Sequence, residues 1–100
     1  MIIITGTATL KDGDADAFTA AAAPMLAASR DEPGCIEYRY SFDLEDPRTV
    51  VFFEAWETEE ALMAHLGTPH MADFIAASSE LMAGRASMAR YDGAEPASFG

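Results

Sequence analysis

The chain predicts an α+β domain in which one four-stranded antiparallel sheet carries its helices on a single face, the ferredoxin-like arrangement. Three observations lead there. Hydrophobic periodicity changes in the order strand, helix, strand, strand, helix pair, strand, which is the split βαβ order of elements. A polar segment of hairpin length, Asp43-Leu44-Glu45-Asp46-Pro47-Arg48, separates the second and third strand patterns. The run Val50-Val51-Phe52-Phe53-Glu54-Ala55-Trp56 is apolar on both faces once its side chains alternate, with Val50, Phe52, Glu54 and Trp56 on one side and Val51, Phe53 and Ala55 on the other.

That third observation reaches beyond a single chain. A sheet with one wet side reads apolar, polar, apolar, so this strand requires cover on both faces. Helices placed on one face leave the other bare, and no segment remains to shield it. A second copy packed sheet against sheet is the simplest cover, and a homodimer is expected.

The elements follow in order. Residues 2–10 are β-branched and rich in Thr, and Lys11-Asp12-Gly13-Asp14 closes them as a first strand. From Asp14, a candidate N-cap, an alanine-rich run to Arg30 places Phe18, Ala22, Met25, Leu26 and Ser29 on one helical stripe. Pro24 removes a backbone donor inside it and is expected to kink or divide the helix. Pro33 and Gly34 end the helical region. A second strand over 35–42 then alternates Ile36, Tyr38, Tyr40 and Phe42 against Glu37, Arg39 and Ser41. The central strand over 49–57 follows, antiparallel to it.

Thr58, with Glu59 and Glu60 in the first turn, caps a short helix through Leu62, Met63 and Leu66 that Gly67 ends. Thr68-Pro69 restarts a helix, since proline at the first helical position loses no bond. Met71, Phe74, Ile75, Ser78 and Met82 form its expected buried stripe, with Ala83-Gly84 as the exit. Residues 85–91 make a last strand. One domain over 1–91 and a Gly, Pro and Ser tail over 92–100 account for the chain.

Composition narrows the function classes. One hundred residues make one domain, and half of them are hydrophobic, enough for a packed core. Seventeen acidic against six basic residues give a formal charge of -11, the wrong field for phosphate backbones, so nucleic acid and anionic membranes are not expected partners. A single cysteine, Cys35, allows no intrachain disulfide, and it reads as an inert thiol. No run of about 20 apolar residues exists to span a membrane, and the first residues lack the charge and length of an export signal. The cytoplasm is the expected location.

Several side chains are suited to chemistry. Imidazole in general can accept a phenolic or enolic proton near neutral pH, which makes His65 a candidate base and His70 a second one. The structural alternative for His65 is a half-buried helix-end histidine facing terminal carbonyls. A metal site is not expected, because Gly67 and Pro69 interrupt the histidine pair and no thiol or carboxylate cluster stands nearby in sequence. Glu54 sits in apolar surroundings that raise a carboxyl pKa unless a partner holds it charged. It either orients a histidine or forms an ion pair with Arg39 or Arg85. Trp56 and Tyr38 are a pocket wall or plain core, and the methionines, Met71 among them, are adaptable lining. No Gly-rich phosphate loop or flavin fingerprint is present, so no nucleotide cofactor is expected.

Glu32-Pro33-Gly34-Cys35 leading to Tyr38, then Phe53-Glu54-Ala55-Trp56, Glu60-Ala61-Leu62 with His65, and Thr68-Pro69-His70 with Phe74 resemble, in that order, the antibiotic biosynthesis monooxygenase (ABM) domain family of dimeric α+β barrels. The similarity runs from the first strand to Tyr91. It implies a sheet-to-sheet homodimer with a pocket in each subunit between sheet and helices. It also implies chemistry of the quinol monooxygenase kind: oxidation by dioxygen, without cofactor, of a small electron-rich aromatic such as a quinol or hydroxyanthrone. Haem is not expected, since the haem-degrading branch of such domains has a Trp about where His65 stands and an iron-ligating His near Ile75. In this expectation His65 takes the proton and Glu54 holds the imidazole. Trp56, Phe74 and Met71 pack the ring, and Tyr38 or His70 meets an oxygen. The same fold also serves isomerases or lyases that work through an enediol, and ligand-binding dimers without catalysis.

Overall fold

A computed structural model describes residues 1–99. Strand β1 (Ile2–Thr9) leads to helix α1 (Ala15–Arg30), then to β2 (Cys35–Phe42) and β3 (Thr49–Trp56). Helices α2 (Glu59–Leu66) and α3 (Pro69–Ser78) follow, then a 3₁₀ turn, Ser79–Leu81, and β4 (Ser87–Tyr91). The four strands form one antiparallel sheet in the order β2-β3-β1-β4, the ferredoxin-like order that the pattern predicts.

β3 is the central strand. Its register against β1 sets Ile2 opposite Trp56, Ile4 opposite Glu54 and Ala8 opposite Val50, all on the inner face. There Val50, Phe52, Glu54 and Trp56 are buried against helices carrying Phe18, Ala22 and Met25 on α1 and Met71 and Phe74 on α3. Gly6 of β1 makes room for this layer. A Cβ there would lie 2.6 Å from the Phe52 ring and 2.2 Å from the Ser87 carbonyl oxygen. On the outer face Val51 pairs with Thr7 and Ser41, and Phe53 with Thr5 and Arg39. Val51 is exposed and Phe53 half-buried.

Local chemistry explains the boundaries. The Thr58 side chain accepts from the Ala61 N–H at 3.1 Å, Gly67 ends α2, and Pro69 opens α3. Gly34 turns the chain into β2 at φ +83°, and its missing side chain lets the turn rest on α2, since a Cβ would come 2.5 Å from that of Ala61.

Three expectations are corrected. α1 runs undivided through Pro24, which is exposed. The β2 alternation breaks at Ile36, the extra residue of a bulge between Cys35 and Glu37, and its side chain is exposed. The short α2 helix, as expected in its extent, buries Leu62 and His65 and leaves Met63 and Leu66 exposed. On α3, Ile75 is exposed too, and the helix stops at Ser78 rather than continuing to Met82, which instead bridges to Leu10. Residues 92–99 have no regular structure, although Ala94 exchanges backbone hydrogen bonds with Met1. No helix among the described residues is long and apolar enough to cross a membrane.

Candidate functional site

Between the inner face of the sheet and helices α2 and α3 lies a cavity of about 330 Å³. Its walls are apolar, built from Phe18, Tyr40, Phe52, Met71, Phe74 and Met82 among others. The carboxyl and the imidazole on its surface are Glu54 and His65. Leu66, Ile75 and Met88 also line it while remaining more than half exposed, so they form an apolar mouth. This accounts for the exposure of Leu66 and Ile75 that a simple buried stripe does not.

His65 is fixed by its surroundings. It occupies the last turn of α2, where the Thr68 hydroxyl donates to its carbonyl at 2.7 Å, and only 1% of the residue is exposed. Its Nδ1 lies 2.7 Å from the Glu32 carboxylate, and the same oxygen, Oε2, receives Nε2 of His70 at 2.9 Å. An ionised carboxylate only accepts, so these two ring nitrogens carry the protons. Nε2 of a neutral His65 then accepts, and the Tyr38 hydroxyl faces it at 3.3 Å. The Trp56 indole packs against the imidazole with ring centroids 4.7 Å apart.

Glu32 reaches this position from the turn after α1. Its backbone N–H donates to Ser29 and its carbonyl accepts from Cys35, which together hold the turn. The Arg30 guanidinium donates to the Tyr38 carbonyl at 2.9 Å and ties the turn to β2.

Glu54 is held differently. Its Oε1 accepts from the Trp56 indole N–H at 3.1 Å. Burial pushes its pKa above the usual carboxyl value, opposed first by the Trp56 N–H. Burial likewise raises the Tyr38 hydroxyl far up and that of Tyr40 up to about 12, so both remain protonated donors at neutral pH. The Cys35 thiol is also pushed up, chiefly by burial, and then by Glu32 and Glu54, which disfavours its thiolate.

Of the residues singled out in the sequence, His65, Glu54, Phe74 and Met71 meet in the cavity. Trp56 and Tyr38 are fully buried behind its wall and support His65 rather than face the cavity. His70 lies on the far side of Glu32, in a surface recess with Pro24 and Asp73. Glu54 does not hold the imidazole; Glu32 does, because the turn before β2 delivers its carboxylate to Nδ1. Nor does Glu54 pair with an arginine among the described residues: Arg39 pairs with Glu37, its same-face neighbour two residues back on β2. The missing carboxylate that argued against a metal is likewise Glu32. Sequence reasoning passed over Glu32 and Phe52 as site residues, while Tyr40, weighed with Tyr38 as pocket lining or core, does line the cavity. The available signal for Glu32 was its place in the Glu32-Pro33-Gly34 segment, which reads first as a turn.

Comparison with known proteins gives a consistent answer. The model of the antibiotic biosynthesis monooxygenase family matches residues 1–77. A protein from Nitrosomonas europaea, provisionally assigned as an antibiotic biosynthesis monooxygenase, superposes with a TM-score of 0.88 at 26% identity over 93% of this chain and 98% of that one. One from Deinococcus radiodurans with the same provisional assignment also gives 0.88 at 26%, over 99% and 98%. An uncharacterized protein of Synechocystis is 33% identical over 94% of this chain. The chain spans 64% of the length of that relative.

Proposed function

The chain belongs to the antibiotic biosynthesis monooxygenase family, and from that premise we propose that it oxidises a small electron-rich aromatic, a quinol or a hydroxyanthrone, with dioxygen. The observation that carries the reading is the apolar cavity with His65 of α2 and Glu54 of β3 on its surface. Its volume falls at the lower end of ligand pockets, which run from about 300 to 1,000 Å³, and suits a flat ring system. The apolar mouth of Leu66, Ile75 and Met88 admits such a ring.

His65 is the base. With its Nδ1 proton directed at Glu32, the other nitrogen carries the lone pair, which the Tyr38 hydroxyl meets at 3.3 Å, and the carboxylate stabilises the imidazolium formed when a proton arrives. The 3.3 Å contact from Tyr38 is long enough to yield to a substrate oxygen. Glu54, kept closer to its neutral form by burial, is suited to donate a hydrogen bond to a second substrate oxygen. The deprotonated aromatic is itself the reductant. It passes electrons to dioxygen, one oxygen atom enters the ring system, and the other leaves as water with two substrate hydrogens. The protein's work is to bind, deprotonate and exclude water.

The reading includes a homodimer. The outer sheet face, with Val51 exposed, Phe53 half-buried and Tyr91 exposed along β4, is the surface a second copy would cover. The test of the chemistry is oxygen uptake with a panel of quinols and anthrones. His65→Ala is expected to lower uptake by roughly 10²- to 10⁴-fold, the range for a lost general base, while the far-UV spectrum is retained. Uptake unchanged by the substitution, or turnover equally fast without oxygen, would refute the assignment.

A further inference from the structure

The contact between Glu32, His65 and His70 has a second capacity that the proposed oxidation does not use. The three residues come from three separate segments: the turn after α1, the last turn of α2 and the first turn of α3. Each offers one ligand atom, and the three atoms lie within 4.8 Å of one another. We propose that Glu32, His65 and His70 form a binding site for one divalent first-row transition ion of the zinc class, held by His65 Nδ1, His70 Nε2 and a Glu32 oxygen. The inference does not rest on the oxidation, since it concerns the Nδ1 side of the imidazole, which faces Glu32.

Four features support it. Two imidazoles and one carboxylate are the donor set that borderline ions such as Zn²⁺ and Co²⁺ prefer, with a fourth position left to water. Spacing is close to what an ion needs. Ligand atoms about 2.1 Å from a tetrahedral zinc stand roughly 3.4 Å apart. Here Glu32 Oε2 is 2.7 Å from His65 Nδ1 and 2.9 Å from His70 Nε2, so modest spreading makes room.

The surrounding shell also fits. A histidine that ligates metal through one nitrogen anchors its other N–H, and Nε2 of His65 faces the Tyr38 oxygen at 3.3 Å. Access and field are favourable as well. The His70 and Glu32 side chains are 24% and 12% exposed, Asp73 shares the recess of His70, and Glu57 and Glu60 share that of Glu32. The local potential therefore attracts a cation, as does the formal charge of -11.

Binding would exchange the tautomer. A metal on Nδ1 displaces the proton shared with Glu32 and leaves His65 protonated on Nε2. An occupied site and a proton-accepting His65 therefore exclude each other.

The experiment is calorimetric titration of ZnCl₂ into the full chain after dialysis against a chelator, with Co²⁺ visible absorption as a second readout. One ion per chain is expected. His70→Ala and Glu32→Gln should each abolish stoichiometric binding, with folding checked by circular dichroism. Tyr38→Phe, which removes the partner of Nε2, should weaken binding roughly 10- to 100-fold. Absence of binding to the wild-type chain would overturn the proposal, as would binding that survives both His70→Ala and Glu32→Gln. Neither readout depends on turnover, so failure of the oxidation leaves this test intact.

Discussion

At the scale of single residues, the site rests on two carboxyls with opposite circumstances. Glu32 is met by two imidazole nitrogens, whereas Glu54 accepts from one indole N–H and lies on a largely apolar cavity. Burial raises the Glu54 pKa, so the folded chain holds its proton more tightly than the unfolded chain. Below the unfolded pKa both states are protonated and there is no penalty. As pH rises through the folded pKa the charged form must be buried, and stability is lost. Glu54→Gln keeps an acceptor for Trp56 and removes that charge. It should raise the thermal midpoint at pH 7, with the gain shrinking as the unfolding series is taken down through the acid range. A variant less stable than wild type at pH 7 would show that the carboxylate is fully compensated. The raised pKa of Glu54 was legible from its place in an apolar strand, and His65 was legible as an imidazole, the side chain best suited to proton transfer. Glu32 was not, because 33 residues separate it from His65 and only the folded turn brings them together.

Among the elements, the turn between α1 and β2 matters most for the site, because it presents Glu32. Gly34 holds it at φ +83° against Ala61 of α2. Gly34→Ala meets both a disfavoured backbone region and a contact too close to accommodate. It should cost about 1–3 kcal/mol in urea unfolding, and it should shift the His65 ring resonances by displacing Glu32. A variant of wild-type stability with unmoved resonances would mean that the turn relaxes freely.

Helix caps and breaks were readable directly, since Thr58, Gly67 and Pro69 act through local hydrogen bonding. The bulge at Ile36 and the exposure of Ile75 were not. Strand alternation carries no mark of an extra residue, and helical periodicity cannot tell a buried stripe from the rim of a cavity. Pro24 left α1 undivided on its exposed side.

For the molecule as a whole, element order sufficed to give the sheet, its antiparallel pairing and the side on which the helices lie. The doubly apolar β3 carries the homodimer proposal. Sedimentation equilibrium at micromolar protein should give a dimer for the wild-type chain, and Val51→Asp, which sets a charge on the outer face, should give a monomer. A wild-type monomer would remove the need for a second copy.

The cavity carries the functional account, and ligand placement tests it most directly. Methyl-resolved NMR titration with a hydroxyanthraquinone, an aromatic resembling an oxidised product, reports where a flat ring binds. The account predicts saturable shifts at Met71, Met82 and Ile75, which line the cavity, with Met63 and Val51 unmoved. Shifts centred on Val51 and the outer face, or none at saturating ligand, would contradict it.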